Sequence, residues 1–399
     1  MHLHLDRLRA HFPALADGTA YFDGPGGTQT PDVVGEAVAR TLTGPLSNRG
    51  KVTASERNAD RVVHDCREAL GDLLGAEPGG VVFGRSMTQL TMDLARTMAE
   101  SWGPGDEVVV TRLDHDANVR PWVIAAERVG ATVRWAGFDP ATSELDPAEV
   151  TSLLTDRTRL VAVTGASNLI GTRPDLPTIA DAVHAAGAWL YVDGVHLTAH
   201  RAVDVSELGA DFFACSAYKF LGPHCGVVAG QPELLERLHP DKLKPATDAV
   251  PERFELGTLP YELMAGTTAA VDFLADAVPG DGTRRERLAR SMAAIEAHED
   301  RLRDRIDQAL RLLPGVTVHS RAAHRTPTLL ATFAGHAAED LAQSLAARDI
   351  NVGAGTFYAY EPAQVLGIGE SGGLRIGLAP YVDDGDVDRL VQALGELVG

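Results

Sequence analysis

Along this chain a short apolar run is followed, again and again, by a longer stretch with helical spacing. The runs span residues 80–83, 107–110, 132–135, 160–163, 189–192, 212–215 and 226–229. Helix-length segments lie between most of them, at 88–100, 118–129 and 179–186. Within each run apolar residues are continuous rather than alternating with polar ones. A strand reads that way when both faces of its sheet are covered, and strands alternating with helices imply a mainly parallel sheet. The β-branched content of the runs argues against an all-helical protein.

After about Gly280 the texture changes. Residues 284–313 read as one long charged amphipathic helix closed by Pro314-Gly315. Beyond it come apolar runs at 316–318, 328–333 and 374–378, a helix at 338–348 and a last helix from Asp384. The expected architecture is α/β, with a large domain (20–280) on a mainly parallel seven-stranded sheet. A small C-terminal α+β domain (281–399) follows, with residues 1–19 packed on it.

Composition narrows the classes. A chain of 399 residues that is 45% hydrophobic can bury a large core. It holds no run of 18 apolar residues, which argues against a membrane span. The opening Met1-His2-Leu3-His4-Leu5-Asp6-Arg7 does not read as a secretory signal. A formal charge of -19 repels nucleic acid and anionic membranes. Cys66, Cys215 and Cys225 have neither paired nor metal-ligand spacing, so they read as reduced thiols of a cytoplasmic protein, and no metal is expected.

In an open parallel sheet, ligands sit beyond the carboxyl ends of the strands. Asp193 directly follows the run 189–192. Lys219 follows 212–215 after the turn Ser216-Ala217-Tyr218, among aromatic and apolar neighbours. An amine held there is poised to lose its proton, as Schiff-base chemistry requires. A carboxylate against a pyridine nitrogen would keep that nitrogen protonated. Each residue alone also fits an ordinary role, a helix cap for Asp193 and a surface lysine for Lys219.

Other motifs stand in order around these two. Tyr21-Phe22-Asp23-Gly24-Pro25-Gly26-Gly27 opens a loop of small residues, and Arg85-Ser86-Met87-Thr88 begins a helix. Asp114-His115-Asp116-Ala117-Asn118 and Ser167-Asn168-Leu169-Ile170-Gly171-Thr172 each follow a strand. Phe254-Glu255-Leu256-Gly257-Thr258 and Arg375 come later. From Tyr21 to about Leu378 this ordered set resembles the class V aminotransferase and cysteine desulfurase family, pyridoxal 5'-phosphate (PLP) enzymes of fold type I.

The resemblance implies a role for each position. Lys219 would carry the cofactor as a Schiff base and Asp193 would face its ring nitrogen. His115 would stack on the ring and Asn168 would touch its hydroxyl. Met87 and Thr88 would hold the phosphate at a helix start, with Ser216 and Tyr218 beside them. Arg375 would grip the substrate α-carboxylate. Thr258, Asn48 and Arg49 would enter the site of a neighbouring subunit, which implies a homodimer.

Two departures set this chain apart. Desulfurases of the family carry a mobile cysteine in a loop of the small domain. The matching stretch, 350–360, holds none, and Tyr358 or a direct neighbour takes the place. A phenol has a pKa of about 10 and cannot carry sulfur as a thiolate does. His196 stands where relatives usually have glutamine, with the reach expected of a proton shuttle near the ring oxygen or the lysine. These features resemble a cysteine desulfurase-like branch. The expected activity is C–S lyase chemistry on an amino acid without an enzyme persulfide. Transamination, epimerisation and a non-catalytic PLP-binding protein remain the alternatives.

Overall fold

In the computed structural model, which describes residues 3–399, a two-residue strand β1 (Ala20–Tyr21) precedes the large sheet. That sheet comprises β2 (Val81–Gly84), β3 (Glu107–Thr111), β4 (Thr132–Ala136), β5 (Thr158–Thr164), β6 (Trp189–Asp193), β7 (Phe212–Ser216) and β8 (Gly226–Gly230). Its spatial order is β2-β8-β7-β6-β5-β3-β4. The five strands from β3 to β7 pair in parallel, whereas β8 runs antiparallel to both β7 and β2. The sheet is therefore mixed at one edge, a reversal that apolar runs alone do not encode.

The continuous apolar runs have a direct cause. Successive side chains of a strand point to opposite faces. Val161, Val163, Leu190, Val192 and Phe213 enter one buried cluster, while Leu160, Ala162, Tyr191, Phe212 and Ala214 enter another. Helices cover both faces, so neither alternate set meets water.

A smaller antiparallel sheet follows the 29-residue helix Arg284–Leu312. Its strands are β9 (Val316–Val318) and β10 (Thr328–Phe333), then, after the short β11 (Ile350–Asn351), β12 (Gly353–Gly355) and β13 (Gly373–Gly377). The order is β12-β13-β10-β9. Strand β11 instead pairs in parallel with β1, which stitches the start of the chain to the smaller sheet. The segment before β1 touches both parts of the molecule. Arg9 pairs with Asp383 and Asp386, while Phe12 packs on Tyr381 and on Phe273. No helix among the described residues is long and apolar enough to cross a membrane.

Candidate active site

At the carboxyl ends of β5, β6 and β7 the chain opens a cavity of about 640 Å³. Asp193 is the last residue of β6, and Val195 N–H donates to its Oδ1 at 3.0 Å. The next position must be glycine: a Cβ on Gly194 would lie 1.8 Å from the Phe213 ring. Burial pushes the Asp193 carboxyl up to about 6, against the pull of Val195 N–H and Lys219.

Lys219 ends a single tight turn, Ala217–Lys219, after β7. Its Nζ donates to the Pro25 carbonyl and sits 4.7 Å over the Tyr218 ring. Burial first, then the Arg375 charge, pulls the ammonium down to about 7, while Asp193 opposes the shift. The amine is thus partly uncharged at neutral pH, whereas an exposed lysine titrates near ~10.4.

His115 caps a short turn with its ring, accepting from Ala117 N–H at Nδ1 (2.9 Å), which leaves Nε2 as the protonated nitrogen. Burial and the nearby Lys219 charge pull the imidazole down to about 4, so it is neutral at pH 7. The helix Met87–Ala99 starts at the cavity, with Ser86 as its cap accepting from Gln89 N–H. Met87 N–H donates to Ser216 Oγ across the gap at 3.3 Å. Thr88, one residue on, lines the cavity. An N-terminal helix turn with a hydroxyl beside it is an anion site.

The opposite wall comes from the smaller sheet. Arg375 on β13 is buried, and its Nη1 donates to the Asn168 carbonyl at 3.0 Å. The Phe357 ring covers one face of the guanidinium at 3.6 Å, and Nε has no partner. Burial pulls this guanidinium down to about 9. Asn168 Nδ2 donates to the Phe357 carbonyl (2.9 Å), and its buried Oδ1 is unpartnered. Phe357 and Tyr358 both take left-handed backbone angles, φ 56° and 58°, which cost of order 1–3 kcal/mol each. Tyr358 stands at the mouth, its ring 5.7 Å from that of His115.

The cavity therefore gathers Lys219, Asp193, His115, His196, Met87, Thr88, Asn168, Ser216, Tyr218, Arg375 and Tyr358. His196 does not turn its Nε2 toward the lysine: that nitrogen meets Thr326 and Thr328 hydroxyls at 3.0 Å each. Asn48, Arg49 and Thr258 lie outside this chain's cavity. Thr258 Oγ1 approaches Asn48 Oδ1 at 3.4 Å, and Arg49 pairs with Asp60 and Glu252, so the three form one exposed group. Met92 and Arg120 also line the cavity, unnoticed in the sequence. They stand on two different helices, Met87–Ala99 and Arg120–Val129, and the side each presents shows only once its helix is docked. Phe357 was legible as an aromatic but not as the cover of Arg375, because left-handed backbone at a non-glycine leaves no mark in the sequence.

A site with a partly uncharged lysine, a facing carboxylate, a helix-start anion cradle and a buried arginine suits a flat, phosphorylated carbonyl cofactor. The orphaned Asn168 Oδ1 and Arg375 Nε are polar atoms that such a group and its substrate would complete.

The Aminotransferase class-V family model matches residues 20–390. The chain is 36% identical to the uncharacterized protein MT3887 of Mycobacterium tuberculosis, over 98% of each chain. It is 31% identical to the aminotransferase-like protein FGM3 of Gibberella zeae, over 98% of this chain and 97% of that one. The crystal structure of cysteine desulfurase CsdA from Escherichia coli superposes with a TM-score of 0.88 at 30% identity, covering 99% of both chains.

Proposed function

Since the chain belongs to the class V aminotransferase family, and is a PLP-dependent enzyme as that family's members are, we propose that it cleaves the C–S bond of a cysteine-like amino acid without forming an enzyme persulfide. The observation that carries this reading is the state of the thiols. Cys66, Cys215 and Cys225 are all buried, and none lines the cavity. Burial pushes the Cys225 thiol up to about 12 and the other two well above their ordinary value. A thiol that neither ionises nor reaches the substrate cannot collect its sulfur.

PLP, when bound, supplies an electron sink that makes the substrate Cα–H acidic. The residues of this chain supply the rest. Lys219 would hold the cofactor, and its freed amine would take the Cα proton and return one as general acid. Asp193 would keep the ring nitrogen protonated. His115, neutral, would lie against the ring. The helix start at Met87, the Thr88 and Ser216 hydroxyls and Tyr218 would hold the phosphate. Asn168 Oδ1, unpartnered, would accept from the ring hydroxyl. Arg375 takes the α-carboxylate in the plane of its guanidinium, because Phe357 occupies one face. Cysteine plus water yields sulfide, pyruvate and ammonia, a balance that needs no oxidant or reductant. Asn48, Arg49 and Thr258 complete the site of a second copy, so the working unit is a homodimer, and the three buried, unpaired thiols fit a cytoplasmic setting.

The test is a screen of purified, PLP-loaded protein with cysteine, cystine, cysteine sulfinate and alanine, following sulfide, pyruvate and other keto acids. Equal release of pyruvate and reduced sulfur is the expected result. Keto acid formed with retention of the amino group on the enzyme would establish transamination, and loss of optical activity alone would establish epimerisation. Sulfur recovered on a cysteine side chain would overturn the proposal outright.

A further inference from the structure

Behind the cavity wall lies a chain of three buried titratable groups that the reaction above does not use. His196, in the wall, packs edge to face on His200, ring centroids 4.8 Å apart at 74°. His200 Nδ1 bonds Glu299 Oε2 at 2.9 Å. Glu299 comes from the long helix Arg284–Leu312, is 0% exposed, and its Oε1 has no partner at all. A carboxyl group buried with one oxygen unpartnered costs the fold stability.

The far side of His196 is equally constrained. Thr326 and Thr328, at the start of β10, both meet its Nε2. Thr326 spends its own hydrogen on the Gly171 carbonyl at 3.3 Å, so it offers His196 only lone pairs. That assigns the proton to Nε2 and leaves Nδ1 as an unprotonated acceptor. We propose that Glu299 and His200 are positioning residues: His200, bonded to Glu299, packs on the His196 ring and holds it in the one orientation in which Thr326 and Thr328 meet Nε2 and fix the tautomer of this cavity-lining residue. The inference rests on the PLP reading for its purpose, though not for its geometry.

Charged groups face the chain from every side. Lys219 and Arg375 lie toward the cavity and lower the His196 pKa after burial and His200. Tyr381 lies on the side of Glu299. Arg201, next in sequence to His200, is neutralised by Glu296 and Asp300.

Glu299→Gln and His200→Gln test the proposal, with Glu296→Gln as a control on the same helix. In cofactor-free protein with 15N-labelled histidine, His196 should show one tautomer, its signals assigned by their loss in His196→Gln. Both tautomers should appear in Glu299→Gln and in His200→Gln, and not in the control. In the loaded protein, the pH midpoint of the cofactor absorbance change should move by about one unit in Glu299→Gln. The shift should vanish when His196→Gln is added. Unchanged His196 signals in both variants would overturn the inference, as would an absorbance shift that survives in His196→Gln. Unfolding of both variants would also count against it, because a merely structural pair predicts that outcome. Failure to take up PLP would sink the cofactor reading while leaving the tautomer measurement to decide this one.

Discussion

The two walls of the cavity are built by different means. One is made of strand ends and a helix start: Asp193, Ser216, Lys219 and Met87 sit within a residue or a turn of regular structure. The other carries a loop, 356–359, with two consecutive left-handed residues and a tyrosine that is 79% exposed. The rigid wall has the fittings for a cofactor common to a whole family. A loop can change without disturbing the sheet. On the proposed reading, the comparison assigns cofactor binding to the rigid wall and substrate contact to the loop wall.

The largest effect should come from the rigid wall. Lys219→Ala is expected to lower turnover on the order of 10³-fold and to abolish borohydride trapping of PLP on the chain. Peptide mapping that finds the label on another lysine would remove Lys219 from its role. Asp193→Ala should follow, with PLP still bound and turnover down on the order of 10²-fold. Near-normal rates in that variant would mean that ring protonation is not the task of this carboxylate.

The electrostatics of the same wall can be read without the cofactor. The folded Lys219 amine releases its proton at about 7, and an unfolded one near ~10.4. Between those values the unfolded chain holds the extra proton, so the Lys219 contribution to stability rises with pH across that window. Denaturation curves of cofactor-free protein should therefore show this rise relative to Lys219→Met. Arg375→Gln, which removes a repelling charge, should move the pH of half-maximal Lys219 acylation upward.

The loop wall should give smaller and more selective effects. Tyr358→Ala is expected to raise KM about tenfold, worth 1–3 kcal/mol of substrate contact, with PLP affinity unchanged by absorbance titration. A matching loss of PLP would erase the distinction between the walls. The smallest effect belongs to the thiols, which lie in neither wall. A variant with Cys66, Cys215 and Cys225 all changed to alanine should keep its turnover, losing roughly 1 kcal/mol of stability per buried site in thermal melts.

Much of the rigid wall was legible in advance because its signals are local. An apolar run ending in Asp193-Gly194, or in a tight turn before Lys219, declares a strand end by composition, and ligands gather at strand ends. The seven strands were visible for the same reason. The order of the strands and the reversal of β8 were not, because pairing is a relation between distant segments. The cover of Phe357 on Arg375 depends on a backbone conformation that its residue type disfavours. His200 and Glu299 are 99 positions apart, and nothing in either neighbourhood announces the other. The sequence by itself determined which residues can hold a proton, an anion or a ring, since that is a property of side chains and short-range structure. Only the tertiary structure decided which way each faces and which charge stands beside it, because those depend on packing between elements far apart in the chain and on the burial that packing creates.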